Sequence, residues 1–375
     1  MRATTPSTAL RPLLALSLGA CAIGFAPRFV RLSPLGPTAT GFWRLALALP
    51  LLFILHLVFR HRHEEQGGAQ RSPALPLPLP STPSKPHLAR EPIAVRDLRE
   101  SSVRAAVDQT SAKSHGRFAW LWLILPGFFF AGDLALWHWS IHYTSVANST
   151  LLTNFAPIFV TIAAYFFLGE RFDRRFPVGL VLALTGAGLL VLSGSGSKSA
   201  LASELGNGDG ESLRLFGDFL GVLTALFYAA YQLSVKRLRE DFSTLALMLG
   251  STLTGAVLLL TLALANGETL WPAHARLPAE LLLDMLPLVG LAWVSHIAGQ
   301  GLIAYAFAHL SASFSSVSLL IQPVVAAIGA YYLFGESLGP VALLGAAIVL
   351  AGVVLARLAT TSGAKLRGPS GTSTA

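Results

Sequence analysis

The chain has 375 residues, of which 53% are hydrophobic and only 12% charged. Soluble domains carry about 25% charged residues, so this composition cannot wet a globular surface of that size, and the bilayer is the expected solvent. The net charge of +8 falls in short basic clusters between apolar runs, which is a pattern of membrane topology; nucleic acid is not an expected partner.

A membrane-spanning helix needs about 20 mainly apolar residues. Ten such stretches follow one another, at about 11–30, 38–59, 118–139, 146–169, 177–193, 215–235, 243–265, 283–307, 312–335 and 340–358. The predicted fold class is an all-α integral membrane protein of ten transmembrane helices. Before the first stretch stand Arg2 and Arg11, and within it Leu18-Gly19-Ala20-Cys21 resembles the cleavage box of a lipoprotein signal. The chain stays apolar after Cys21 as far as Ala26, so a retained first helix is the expectation. Cys21 is the single cysteine and leaves no disulfide within the chain. Between the second and third helices, residues 60–117 contain the Pro-rich stretch from Pro73 to Pro86 and are expected to form a disordered loop. Ser193 to Glu211, rich in Gly and Ser, reads as a linker, and 359–375 as a disordered cytoplasmic tail. Nothing is left for a second globular domain.

The chain matches itself at an offset of 166 residues: Pro157 with Pro323, Tyr165 with Tyr331, Gly169-Glu170 with Gly335-Glu336, Gly179 with Gly345 and Gly186 with Gly352. A weaker match of hydrophobic texture, at an offset of 206, lays Arg31 and 42–50 over Arg237 and 248–256. The difference between the offsets reads as the long loop, inserted in the first half only. The expected domains are therefore two five-helix repeats, 11–193 and 215–358. An odd helix number inverts the second repeat relative to the first, which is a common construction in secondary transporters. Sorting Lys and Arg by loop puts 21 on one side and 5 on the other, with Arg44 inside helix two. The positive-inside rule then places both termini in the cytoplasm, in a cell membrane.

Charges and kinks inside the spans are the candidates for function. A charged side chain deep in the bilayer costs several kcal/mol unless paired or hydrated. Arg44 and Asp133, each about six residues from the outer end of its helix and so roughly 9 Å deep, are expected to pair with one another or to serve a solute, Arg44 binding an anionic group and Asp133 titrating. Snorkelling is the alternative for Arg44. Pro157 and Pro323 cannot donate to the carbonyls of Thr153 and Leu319, so they should kink helices four and nine. Asn154 and Gln322 beside the kinks are then either solute ligands or bonds to neighbouring helices. His296, with Gln300 one turn on, and Tyr231 and Tyr305 are further cavity candidates, against plain bundle packing. His138 and His142 have the spacing of a helical metal pair but no carboxylate nearby beyond Asp133, so they read as interfacial packing with Trp137 and Trp139; neither metal nor cofactor is expected. Glu170 and Glu336 end apolar helices at opposite interfaces and read as folding and gating elements. The glycines seven apart in helices five and ten form smooth stripes through which those helices pack together, or through which a homodimer forms.

Two copies of an apolar helix with a central proline that end in Gly-Glu, from Pro157 to Leu168-Gly169-Glu170-Arg171 and from Gln322-Pro323 to Phe334-Gly335-Glu336-Ser337, resemble the two EamA domains of the drug/metabolite transporter superfamily. Phe42-Trp43-Arg44-Leu45-Ala46 is similar to the arginine that family carries near the start of helix two. The resemblance covers nearly the whole chain apart from the long loop and the tails. It implies an exporter or exchanger of amino acids, metabolites or related small solutes, with the solute held centrally between the halves. No GxxxxGK[ST] phosphate loop occurs, which argues against ATP-driven transport by this chain alone and leaves proton antiport, solute exchange and facilitated diffusion. Two other classes stand beside a carrier. A membrane transferase would need a base and nucleophile at close spacing, and a non-transporting scaffold would need a binding motif in the long loop.

Overall fold

The computed structural model describes residues 6–69, 119–144, 146–193, 209–272, 278–334 and 339–365. Ten helices among them are long and apolar enough to cross a membrane: α1 (Leu10–Val30), α2 (Pro37–Phe59), α3 (Leu121–Tyr143), α4 (Asn148–Phe167), α5 (Arg175–Ser193), α6 (Glu211–Leu238), α7 (Thr244–Ala265), α8 (Pro278–His309), α9 (Ala312–Gly329) and α10 (Pro340–Thr360). Number and order agree with the expected spans. Large apolar side chains such as Phe166, Phe167, Leu282 and Tyr332 point outward. On a soluble monomer such a surface would be a liability; on a multi-pass membrane protein it meets lipid.

Some boundaries move. Helix three ends at Tyr143, not at 139, because Ser140 and Thr144 bond to the neighbouring helix: Ser140 Oγ donates to the Gly217 carbonyl at 2.8 Å and Thr144 Oγ1 to Asp218 Oδ1 at 2.6 Å. Asp133 is thus ten residues from that end, about 15 Å deep, and not 9 Å. The helix carrying α2 continues to Ala69, ten residues into the expected loop, since its Arg, His, Glu and Gln residues tolerate helix well. The last helix runs to Lys365, into the expected tail. The remainder of the long loop, most of the Gly/Ser linker, the end of the tail and Glu336 lie outside the described residues.

Four spans are broken at a proline. α1 consists of Pro6–Gly24 and Ala26–Arg31, with Pro27 opening the second piece. α2 consists of Pro37–Ala46 and Leu49–Ala69, with Pro50 in the new first turn. α4 breaks between Thr153 and Ala156, before Pro157, and α9 between Ser318 and Ile321, before Pro323. Proline costs less in the first turn of a helix than in its interior, and at these four places the chain ends one helix and starts another, whereas Pro12 and Pro287 stay inside continuous helices. In α9 the Leu319 carbonyl that Pro323 cannot serve accepts from the Gln322 amide at 2.9 Å. α8 is interrupted differently, by a π-helix from Leu291 to Gln300, a wider turn often found at functional positions.

Helices approach most closely where glycines face backbone. A Cβ added to Gly179 would lie 2.7 Å from the Gly352 carbonyl oxygen, and one on Gly352 would lie 2.4 Å from the Ala183 nitrogen. The stripes on α5 and α10 therefore dovetail with each other inside one chain. Elsewhere α2 packs on α7, α3 on α6, α1 on α8, and α4 on α9.

This packing predicts opposite outcomes at two glycines. A Cβ at Gly186 would sit 2.5 Å from the Val349 nitrogen, whereas one at Gly301 would meet nothing within 4 Å. Overpacking costs about 1–3 kcal/mol, while relieving a helical glycine gains about 0.5–1 kcal/mol. Thermal unfolding in detergent should show a lowered midpoint for Gly186→Ala and an unchanged or raised one for Gly301→Ala.

Candidate solute-binding site

The breaks in α1, α4 and α9 and the end of the π-helix converge on one cavity of about 180 Å³. Water occupies about 30 Å³ per molecule in the liquid, so the space holds several waters or one small solute. Its wall contains Arg44 from α2, Asp133 from α3, Asn154 and Thr153 from the α4 break, Gln300 from the end of the π-helix, and Gln322 and Pro323 from the α9 break. Pieces of α1 on both sides of its own break, Gly24 and Pro27, complete the wall together with apolar Ile23, Val30, Leu134 and Leu291.

Arg44 and Asp133 are both buried, at 7% and 8% exposure. They are electrostatic neighbours, yet they form no ion pair with each other; among the described residues, ion pairs join Arg237 to Glu240 and Asp241. Arg44 instead lies over the Phe130 ring, with its guanidinium carbon 5.5 Å from the centroid. A cation on an aromatic face gains electrostatic attraction without losing its outward-facing donors. Nε of Arg44 is buried without a hydrogen-bond partner. Two opposite charges thus share a cavity without neutralising one another.

The other expected site residues divide into wall and backing. Asn154, Gln300 and Gln322 line the cavity; Tyr231 and His296 do not. His296, 1% exposed, stacks on Phe130 at 5.4 Å and shares a 2.8 Å hydrogen bond with Thr252 Oγ1. Tyr231 packs on Phe130 at 4.8 Å, and its hydroxyl donates to Gln300 Oε1 at 3.4 Å. Both act on the wall from behind, by holding Phe130 and Gln300. Pro157 is buried at the α4 break, outside the wall that Pro323 joins.

Tyr228 and His138 join the wall together with Thr40, Trp137 and Thr150, none of them among the predicted solute ligands. Tyr228 lies beside Gln300 and Gln322 and stacks on Tyr231; the spacing of three that sets these tyrosines on one helix face was the available signal. His138 was expected at the interface, but it is 6% exposed and lines the cavity. Its Nδ1 donates to the Leu134 carbonyl at 2.6 Å, and the expected ring contact with Trp137 is present at 5.0 Å. Asp133, Leu134, Trp137 and His138 recur at helical spacing, so counting along the face from Asp133 would have found them all. Groups of three or more His, Cys, Asp or Glu that could hold a metal are absent among the described residues.

Two glutamates fasten the ends of the bundle. Gly169, at φ +65°, turns the chain out of α4, and Glu170 then reaches the start of α9, where Oε1 accepts from the Ala312 amide at 2.6 Å and Oε2 from Ser313 at 3.2 Å. Gly267, at φ +69°, does the same after α7. Glu268 accepts from the Thr38 amide at 3.2 Å and from Ala39 at 2.8 Å, capping α2. The first amides of a helix have no partner of their own, and a carboxylate there also meets the positive end of the helix dipole. Because successive spans cross in alternate directions, these caps stand on opposite faces. Near the Glu170 cap, Lys236 Nζ donates to the carbonyls of Phe307 and Leu310, both at 2.8 Å.

Loss of a cap costs about 1 kcal/mol, and distant caps add. Glu170→Ala and Glu268→Ala should each lower the thermal midpoint in detergent, and the double variant should show the sum of the two shifts.

The sequence profile described as the EamA-like transporter family matches residues 106–192 and 215–358. The chain is 27% identical over 222 residues to a probable terminal-alkyne amino-acid exporter of Streptantibioticus cattleyicolor, covering 59% of this chain and 67% of that protein. It is 28% identical over 131 residues to the uncharacterized transporter YetK of Bacillus subtilis, covering 35% and 37%, and 26% identical over 220 residues to an uncharacterized transporter of Archaeoglobus fulgidus, covering 58% and 69%. A solved crystal structure shares the fold at a TM-score of 0.61 and 13% identity, covering 97% of this chain and all of that one.

Proposed function

We propose that this chain, which belongs to the EamA-like transporter family, is a secondary carrier that exports or exchanges small metabolites such as amino acids. That it is a multi-pass membrane transporter follows from the family and the ten spans. The observation that carries the finer reading is the pair of unjoined opposite charges in one buried cavity. Buried charges that do not pair must be met by something else, and a solute bearing a carboxylate and an ammonium group would meet both. Arg44 offers a planar fork suited to a carboxylate. Asp133 either receives the ammonium group or takes a proton in its place. Asn154, Gln300 and Gln322 can donate to or accept from the remainder of the solute. The relative from Streptantibioticus cattleyicolor, by its name an amino-acid exporter, favours the same substrate class.

Alternating access between two inverted halves fits the packing. The pairings of α2 with α7, α4 with α9 and α5 with α10, and of α1 with α8 beside α3 with α6, are those that a two-fold axis between five-helix halves would create. Broken helices beside the solute supply hinges, and Pro157, Pro323 and Glu170 act as gating elements with Glu336 as the expected counterpart. The basic loops orient both termini to the cytoplasm of a cell membrane.

Counterflow in proteoliposomes tests the carrier and separates it from a transferase, which would convert its solute, and from a scaffold, which would do neither. Arg44→Gln should reduce exchange of a carboxylate-bearing amino acid at least about tenfold, as loss of a charged hydrogen bond implies. Asp133→Asn, assayed across an imposed pH gradient, should lose any response to that gradient; pH-independent transport by both forms would remove the proton from the mechanism.

A further inference from the structure

We infer that Glu268 is the latch of a gate whose moving part is the first half of α2, the piece that carries Arg44. Pro37–Ala46 is a separate helix, joined to the rest of α2 through the Leu47-Ala48 break ahead of Pro50. That break is a hinge at its inner end. At its outer end the first amides have no helical partner, and two of them are held by Glu268. A second hold comes from the same loop: Trp43 Nε1 donates to the Leu270 carbonyl at 2.7 Å, and its ring meets Trp271 edge-on at 5.0 Å. The Ser33 to Thr40 hydroxyl contact, 2.8 Å, ties the piece only to the turn that precedes it, which moves with it.

Glu268 itself is fixed. The Gly267 turn returns the Glu268 amide to the Ala263 carbonyl at 2.9 Å, so the carboxylate is mounted on the end of α7. It rests on bare backbone: a Cβ at Gly36 would fall 2.5 Å from Glu268 Oε2. The assembly is a ten-residue helix piece packed on α7, broken from the rest of α2 at its inner end, clipped at its tip by a carboxylate from the loop after α7, with a cavity-wall arginine along its length. Releasing the clip swings the tip and moves Arg44 together with it. On the opposite face Glu170 clips the start of α9, whose first piece is likewise set apart by the break before Pro323. Both clips are closed in this structure, and transport in alternate directions requires them to open in turn. This inference rests on the carrier reading for its purpose, not for its geometry.

The test needs no solute. In a Cys21→Ser background, Thr153→Cys places a reporter in the cavity wall, and a membrane-impermeant maleimide is applied from each side of oriented proteoliposomes. Glu268→Gln, which removes the charge, and Gly36→Ala, which crowds the carboxylate off its seat, should each raise the labelling rate from the Glu268 face about tenfold, as weakening a charged hydrogen bond shifts a closed equilibrium, with no rise from the other face. Glu170→Gln should raise labelling from its own face instead. Unchanged labelling in Gly36→Ala and Glu268→Gln overturns the latch, and so does an equal rise from both faces, which marks a loosened bundle. Should Glu268→Gln fail to fold, Gly36→Ala decides. Counterflow in the same vesicles is read separately: its absence for every solute sinks the carrier reading and leaves the labelling result standing.

Discussion

Inside the hydrocarbon layer there is no water to bond a backbone amide or to surround a charge, and the arrangement of this bundle follows from where those groups can be tolerated. Most of the irregular stretches of helix reach the cavity. The breaks before Pro27, Pro157 and Pro323 and the end of the π-helix at Gln300 all reach the same wall, and the break before Pro50 follows directly after the piece bearing Arg44. A cavity able to hold water or a polar solute is the one place in the membrane interior where freed carbonyls, amide side chains and two charges can coexist. The polar site and the flexible points of the helices therefore coincide because both need the same environment.

Phe130 is the physical centre of that wall. Around it lie the Arg44 cation, the stacked His296 ring and the tilted Tyr231 ring. An aromatic ring held in this way provides Arg44 with an attractive support that does not consume its hydrogen bonds, which an ion pair with Asp133 would. His296 and Tyr231 contribute by immobilising the support and, through the Tyr231 hydroxyl, by orienting Gln300.

The helices of the bundle are held together in two different ways. α5 and α10 interlock through glycines against backbone along their length, an interface with no side-chain slack. The first pieces of α2 and α9 are short and set apart by breaks, are buried against α7 and α4, and are capped at their tips by carboxylates from other loops. Packing that dense resists displacement, whereas a two-bond cap can be undone at modest cost. The mechanical contrast arises from residue size in one region and from backbone discontinuity in the other.

The span count, the class of protein, the broken helices at Pro157 and Pro323 and the presence of Arg44 and Asp133 as charges inside the spans were legible in the sequence, because each rests on a local property: hydropathy over about 20 residues, a missing proline N–H, or a charge in an apolar run. The glycine stripes were legible as surfaces, but only the fold showed that α5 meets α10. Tertiary structure alone moved Tyr231 and His296 behind the wall and brought His138 and Tyr228 into it, since burial of a residue depends on which helix lies opposite. It also revealed Glu268, which in sequence is an ordinary acidic residue in a loop 230 positions after Thr38, and whose significance lies entirely in reaching the unpartnered amides of a helix that sequence order sets far away.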